Sequence, residues 1–284
     1  MNPYSQFVDQ FVEAVEKAKS LPLGGFEPLP RPHLAAGAPT VLFFSPHPDD
    51  ECISGGLALR LLREQGMNVL NVAVTQGSNK PRQVQRYHEL QAACDHLGLG
   101  LIQTGPVGLE RITPRARKED PSHWTRCVDI VERILREQKP KVVFCPHDRD
   151  WNGTHIGTHW LVTDAMRRIP DLECYLVETE FWGAMDDPNL MVEISPKDLA
   201  DMIAALTFHV GEVTRNPYHL SLPAWMMDNV RRGAELVGGQ GGAAPEFKFA
   251  VLNRIRKWSG GEARRYFEGG REVGAGADLG AVFA

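Results

Sequence analysis

Long apolar runs are missing from this 284-residue sequence: no stretch approaches the ~20 consecutive apolar residues of a membrane span. Its first residues show no basic start followed by an apolar run, so no secretory signal is expected. There is no CxxC pair, which removes zinc knuckles and thioredoxin-type sites. The five cysteines, Cys52, Cys94, Cys127, Cys145 and Cys174, are odd in number and widely spaced among apolar neighbours. Buried free thiols in a reducing, cytoplasmic setting are the expectation. Positive charge is not in excess either. A formal net charge of −5 argues against a general nucleic-acid or anionic-membrane surface. The local basic run Arg111, Arg115, Arg117 and Lys118 reads as a solvated loop. No GxGxxG opens the first strand-to-helix turn, so dinucleotide binding loses its main support. Gly238, Gly239, Gly241 and Gly242 follow a helical pattern and precede no Lys-Ser/Thr pair, so they form a surface loop rather than a phosphate cradle.

What is present suits a soluble α/β protein. With 43% apolar and 24% charged residues, the chain can bury a sizeable core. Phe7, Val8, Phe11, Val12 and Val15 recur at helical spacing, and predict an amphipathic helix over 4–18. A Pro/Gly-rich stretch with Pro22, Pro28, Pro30 and Pro32 follows as a linker or wrapping segment. The helix must cover its apolar stripe against the main domain or a second subunit, which leaves a homo-oligomer open. Residues 1–38 are thus expected to append to a single domain over 39–284.

From Thr40 onward, short apolar runs at 41–45, 69–75, 142–145 and 175–180 read as buried parallel strands. Helical patterns at 55–65, 82–97, 123–137 and 157–168 lie between them. This alternation predicts a Rossmann-like, doubly wound, mostly parallel sheet with helices on both faces. After Glu193 the pattern changes to a helical extension over 196–212, interrupted later by Pro217 and Pro223.

Two polar clusters stand at the carboxyl ends of strands, the edge where open α/β sheets bind ligands. The first is Pro46-His47-Pro48-Asp49-Asp50-Glu51. Its prolines stiffen the turn, and a stiff turn suits a metal site. His47 and Asp50 can point at one ion, while Asp49 stays free to act as a general base. Zinc with three protein ligands and an open position brings bound water to a pKa of about 7. A helix-capping turn is the plainer alternative, but capping needs one carboxylate rather than three beside a histidine. The second cluster runs from His147 through Asp150, Asn152, His155 and His159. One of its histidines can supply a third ligand, and spacing alone does not choose among them. His155 and His159 share the spacing of H-E-x-x-H proteases, but Ile156 stands where that motif needs glutamate.

These residues resemble the PIG-L/LmbE family of zinc-dependent N-acetylglucosaminyl deacetylases. The family's His-Pro-Asp-Asp-Glu motif is matched by His47 to Glu51, its Thr-x-Gly turn by Thr75-Gln76-Gly77, and its Arg-x-x-Glu helix by Arg86 and Glu89. Leu161-Val162 and Asp164-Ala165 fix the register of the late motif. The resemblance then implies His47, Asp50 and His155 as zinc ligands, Asp49 as base, and Arg86 and Glu89 as substrate contacts. The alternative for Arg86 and Glu89 is an ion pair on an exposed helix face. The family's further histidine is Asn152 here, so the proton donor is expected to be His159, with His147 second and Asp49 itself as the remaining alternative; Asn152 can still donate a hydrogen bond to an oxyanion. The implied activity is hydrolysis of an N-acyl, chiefly N-acetyl, amide on an amino sugar or glycoconjugate. A non-sugar amide, or metal binding without catalysis, are the competing readings.

Overall fold

The computed structural model describes residues 2–283. After helix α1 (Ser5–Ala18), the chain alternates strands and helices: β1 (Thr40–Ser45), α2 (Asp50–Ile53), α3 (Gly56–Gln65), β2 (Asn68–Ala73), α4 (Gln83–Leu97) and β3 (Gly100–Gln103). It then returns through α5 (Pro114–Glu119) and α6 (Pro121–Gln138) to β4 (Val142–Pro146), α7 (Gly153–Arg167) and β5 (Cys174–Thr179). β3, β2, β1, β4 and β5 lie side by side in that order, each pair parallel. The winding direction therefore reverses between β1 and β4, and the crevice at that reversal is where such sheets hold ligands. Both predicted clusters end strands at this point.

Helices cover both faces, as the alternation predicts. Leu57, Leu61, Leu90 and Met202 contribute to the core on one face, and Val128, Val131, Leu161 and Val162 to the other. Strands buried on both sides are continuously apolar, which is why β1 and β4 are legible as TVLFFS and VVFCP. All five cysteines are buried and free.

The end of the chain differs from the expectation of helices alone. β6 (Leu190–Glu193) precedes α8 (Pro196–Leu206), α9 (Val210–Arg215) and α10 (Tyr218–Leu236), and Pro223 lies inside α10 rather than ending it. β7 (Ala250–Ser259), β8 (Glu262–Arg265) and β9 (Arg271–Val273) then complete the sheet, with β7 antiparallel between β5 and β6. β7 carries Arg254 and Arg256 in its middle, which hides it from a search for apolar runs. Their charges are matched: Arg254 binds Glu178 on β5 through two contacts of 2.7 and 2.8 Å, and Arg256 binds it at 2.7 Å. Pairing of this kind lets a charged strand be buried.

Two local expectations are also corrected. The basic run at 111–118 is not an open loop: α5 forms there, and Arg117 pairs with Asp164 at 2.7 Å. The amphipathic α1 forms as predicted but leaves Phe7, Val8, Phe11 and Val12 exposed, so the main domain does not cover its stripe. The segment after α1 does wrap the domain, with Leu29 N–H donating to the His96 carbonyl and Gly24 N–H to Thr207 Oγ1.

Candidate metal centre

β1 delivers the chain into a turn whose two prolines and buried carboxylates leave little freedom. Asp49 adopts φ 123°, a conformation that costs a non-glycine residue about 1–3 kcal/mol. The surroundings hold it there. Asp49 N–H donates to Glu51 Oε2 at 3.1 Å, and Arg86 Nη2 donates to the Pro48 carbonyl at 3.0 Å. From β2, Thr75 Oγ1 donates to the Pro46 carbonyl at 2.7 Å and accepts from Gly77 N–H. Gly77 has φ 79°, and a Cβ there would stand 2.2 Å from Arg86 Nη1, so glycine is what lets the guanidinium reach the turn.

Within this turn the carboxylates separate. Asp50 points back, accepting from His47 N–H at 2.8 Å. Its Oδ2 lies 3.5 Å from His47 Nδ1 and 3.4 Å from His155 Nε2. One donor atom from each of His47, Asp50 and His155 thus falls within 4.8 Å of the others. His155 Nε2 is buried without a hydrogen-bond partner, an arrangement that costs free energy unless something binds there. Two imidazoles and a carboxylate on three sides of one point fit a zinc ion with an open position. Burial opposes the charge on Asp50, but the neighbouring His155 and His47 overcome it and hold the carboxyl well below the usual range. Burial likewise opposes charge on His155, and Asp50 and Asp150 outweigh it to raise its pKa.

Asp49 takes no part in this group and caps no helix, because its side chain makes no capping hydrogen bond. Burial, followed by the charge of Asp50, lifts its pKa well above the ordinary carboxylate value, against the opposing pull of Arg86. A carboxyl that retains proton affinity beside a metal position can exchange protons with substrate.

β4 and the start of α7 supply the other half. Asn152 is the N-cap of α7, with its Oδ1 accepting from Thr154 N–H at 2.8 Å. Asp150 is buried, accepts from Asn152 N–H at 2.7 Å, and lies 3.7 Å from His155 Nδ1. It orients the ring so that Nε2 faces Asp50. His147 turns the other way, donating from Nε2 to the Gly183 carbonyl at 2.7 Å.

The structure thus brings His47, Asp49, Asp50 and His155 together, with Asn152 one helical turn from His155. It does not bring His159 to them. Its Nδ1 donates to the Pro146 carbonyl at 3.1 Å and stands 3.4 Å from Glu178, inside the ion network of β5 and β7. Arg86 reaches the turn but pairs with Glu212, 3.6 Å away, not with Glu89. Glu89 accepts from Gln85 at 2.9 Å, and both Arg86 and Glu89 are buried, so an exposed ion pair is excluded. Two further residues take roles that sequence reasoning did not assign, Glu51 within the motif and His209 outside it. Glu51 carries the support of Asp49, and His209 Nε2 donates to Glu51 Oε1 at 2.7 Å. His209 lies 158 residues from Glu51 in sequence, and no local pattern announces it. Glu51, Cys52 and His209 also cluster, yet Glu51 Oε1 already accepts from both others and burial keeps the Cys52 thiol protonated. They form a hydrogen-bonded support. Beside His47 a cleft of about 450 Å³ opens, lined by Thr75, Ser78, Lys80, Arg111 and Thr154.

Comparison with known proteins agrees with the resemblance read from the motifs. Residues 42–166 match the profile of PIG-L, the GlcNAc-PI de-N-acetylase family. No curated protein matches the chain. Among solved structures, N,N′-diacetylchitobiose deacetylase from Pyrococcus horikoshii superposes with a TM-score of 0.56 at 16% identity, over 90% of this chain and 94% of that one. A deacetylase in complex with teicoplanin gives 0.54 at 16% identity, over 81% and 100%. The 4-carboxy-2-hydroxymuconate hydratase from Pseudomonas putida gives 0.54 at 16% identity, over 76% and 95%. At these identities the likeness is one of fold. The same fold carries a hydratase, so the reaction must be argued from the site.

Proposed function

Starting from this PIG-L match, we propose that the chain is a zinc-dependent deacetylase, a hydrolase of linear amide bonds that cleaves the N-acyl, chiefly N-acetyl, group of an amino sugar or glycoconjugate. The observation that carries the reading is the separation of roles in one turn: Asp50 converges with His47 and His155, while Asp49 stands apart, buried and unpaired by any helix cap. A metal-binding site without catalysis has no use for that second carboxylate. Residues 39–284 form the catalytic unit in this reading, with 1–38 as an appended helix and wrap. Five buried thiols suit a cytoplasmic setting.

His47, Asp50 and His155 would hold the zinc ion, which when bound supplies a Lewis acid that acidifies water and draws charge from the acyl oxygen. Asp49 takes the proton of the attacking water, and its raised proton affinity lets it pass that proton to the departing nitrogen as the C–N bond breaks. The products are a carboxylate and a free amine. Asn152 Oδ1 is committed to Thr154, so its amide N–H can donate to the acyl oxygen but moves no proton. Arg86 and Glu51 keep Asp49 in its strained conformation. Substrate hydroxyls and charges meet the polar cleft beside His47.

Acetate release from the zinc-loaded chain tests this directly. N-acetylglucosamine, a β-linked GlcNAc disaccharide and a non-sugar N-acetyl amide are compared. The expected result is release from the sugars that stops on chelation and returns with zinc. Turnover of the non-sugar amide alone would move the substrate class, and no acetate from any of them would refute the deacetylase.

A further inference from the structure

Helix α1 carries an apolar stripe that its own domain leaves in water. Among the described residues none of α1 is buried, and Tyr4, Phe7, Val8 and Val12 are each more than half exposed. Its charges are met locally, Glu13 by Lys17 at 2.7 Å and Glu16 by Lys19 at 2.6 Å. The chain is pinned to the domain beyond the helix, where Gly24 N–H donates to Thr207 Oγ1 at 3.0 Å. Between α1 and the domain runs an apolar groove of about 490 Å³. Phe11 and Val15 of α1 form one wall, and Ile203 and Ala204 of α8 with Leu220 and Ala224 of α10 form the other. At about 100° per residue, the apolar positions from Tyr4 to Ala18 cover an arc of about 160°, wider than the ~100° face that docks on one surface. Phe11, Ala14, Val15 and Ala18 turn to the groove, while Tyr4, Phe7, Val8 and Val12 lie outside its lining. A second surface is needed to cover them.

We propose that a second copy of this chain supplies that surface: two α1 helices pair antiparallel about a twofold axis, and the Tyr4–Phe7 end of each enters the groove of the other. The area suffices. At ordinary side-chain areas the exposed parts of Tyr4, Phe7, Val8, Phe11, Val12 and Leu21 come to roughly 700 Å² per copy, above the largest apolar patch of most monomers and close to the ~800 Å² each partner gives a standard interface. The charges select the direction. Residues 1–16 contain Asp9, Glu13 and Glu16 but no Lys or Arg, and Lys17 and Lys19 follow at once. Antiparallel pairing lays the acidic first part of each helix along the basic end of its copy, whereas parallel pairing sets like charges together. A twofold arrangement also covers both stripes and both grooves in one closed contact. The same charges disfavour an anionic membrane, because helices that lie on one carry an excess of Lys and Arg on the polar face. Here the acids outnumber the bases.

Sedimentation equilibrium of the full-length chain from about 1 to 100 µM, the range of a modest interface, reads the pairing. The mass should rise from 31.6 kDa toward twice that value. Val8→Glu and Val12→Glu, both at exposed positions that the fold does not need, should each raise the dimer Kd about tenfold or more. Asp9→Lys alone should weaken the dimer, and so should Lys17→Glu with Lys19→Glu. An equimolar mixture of those two variants should regain it, because opposite charges then meet at both ends of the helix pair. A mass that stays at 31.6 kDa throughout overturns the proposal. So does a dimer that neither Val8→Glu nor Val12→Glu weakens, since its contact lies elsewhere. Failure of the mixture to recover refutes the antiparallel arrangement. Flotation of monomeric wild type with phosphatidylcholine–phosphatidylserine vesicles, lost in Val8→Glu, would give the stripe to a membrane instead of a second copy.

Discussion

The turn after β1 and the loop after β4 face each other across the sheet reversal, and they use their polar residues in opposite ways. In the first, three successive carboxylates all serve the site: Asp49 stands free, Asp50 joins the two imidazoles, and Glu51 bonds the backbone of Asp49. In the second, His155 alone joins the ligand group, while Asp150 orients it, Asn152 caps a helix and His147 and His159 serve the packing. A tight, strained turn concentrates function within a few residues. A loop leading into a helix disperses its side chains around the helix axis, and most of them find structural partners.

The largest effect expected from this contrast is on metal content. Metal analysis of the wild type should find about one zinc per chain, and His47→Ala, Asp50→Ala or His155→Ala should each lose it together with activity. Loss in His147→Ala or His159→Ala with retention in His155→Ala would break the assignment of the second loop.

Next comes Asp49→Asn. It should keep its zinc and lose roughly 10²–10⁴ in kcat, the usual worth of a positioned general base. If zinc is lost instead, Asp49 and Asp50 have exchanged roles and the separation within the first turn fails.

A smaller effect should follow at the supports. Asp150→Asn, which weakens the orientation of His155, should lower zinc affinity about 10–100-fold without changing the residual kcat of the saturated protein greatly. His209→Ala should do the reverse, with near-normal zinc and a kcat lowered about tenfold as Glu51 loses the donor that holds it against Asp49. His209→Gln, which can donate again, should recover part of that rate, and no recovery would make His209 a packing residue.

The legible parts were those in which sequence neighbours are also spatial neighbours. β1, β2, β4 and β5 are dense apolar runs, and the His47 to Glu51 turn is read almost directly because a turn brings its own residues together. β7 was hidden because Arg254 and Arg256 are neutralised by Glu178, a partner from another strand. His209 was hidden for the same reason. Conversely, helical spacing offered an Arg86–Glu89 ion pair as the alternative to substrate contact, but tertiary contacts sent Arg86 to Pro48 and Glu212. The four-residue spacing of His155 and His159 also promised more than it gave. Both lie on one face of α7, but that face passes from the metal group to the ends of β4 and β5 within a single turn.

The smallest effect, and the sharpest test of that last point, is His159→Gln. As a proton donor, His159 would control the alkaline limb of the kcat/KM profile, and its loss would flatten that limb. Its geometry points instead to packing, since Nδ1 already donates to Pro146 and stands beside Glu178. Burial is the largest influence on its pKa and depresses it below the ordinary value, despite the pull of Glu178 and Asp148 in the other direction. The consequence for stability has a definite sign. Below the ordinary histidine pKa the unfolded chain takes up a proton that the folded chain refuses, so the contribution of His159 is present above that pH and is lost as pH falls through the folded value. His159→Gln removes this titration. The variant should bind zinc normally, keep kcat/KM within about a factor of two with both limbs unshifted, and unfold about 1–2 kcal/mol more easily near neutral pH because a buried hydrogen bond is lost. Its stability should also fall less than that of wild type as the pH is lowered from 7 toward 5, which denaturant unfolding at several pH values will read. A flattened alkaline limb, with stability against pH unchanged, would return the proton donor to α7 and make the second loop as functionally dense as the first.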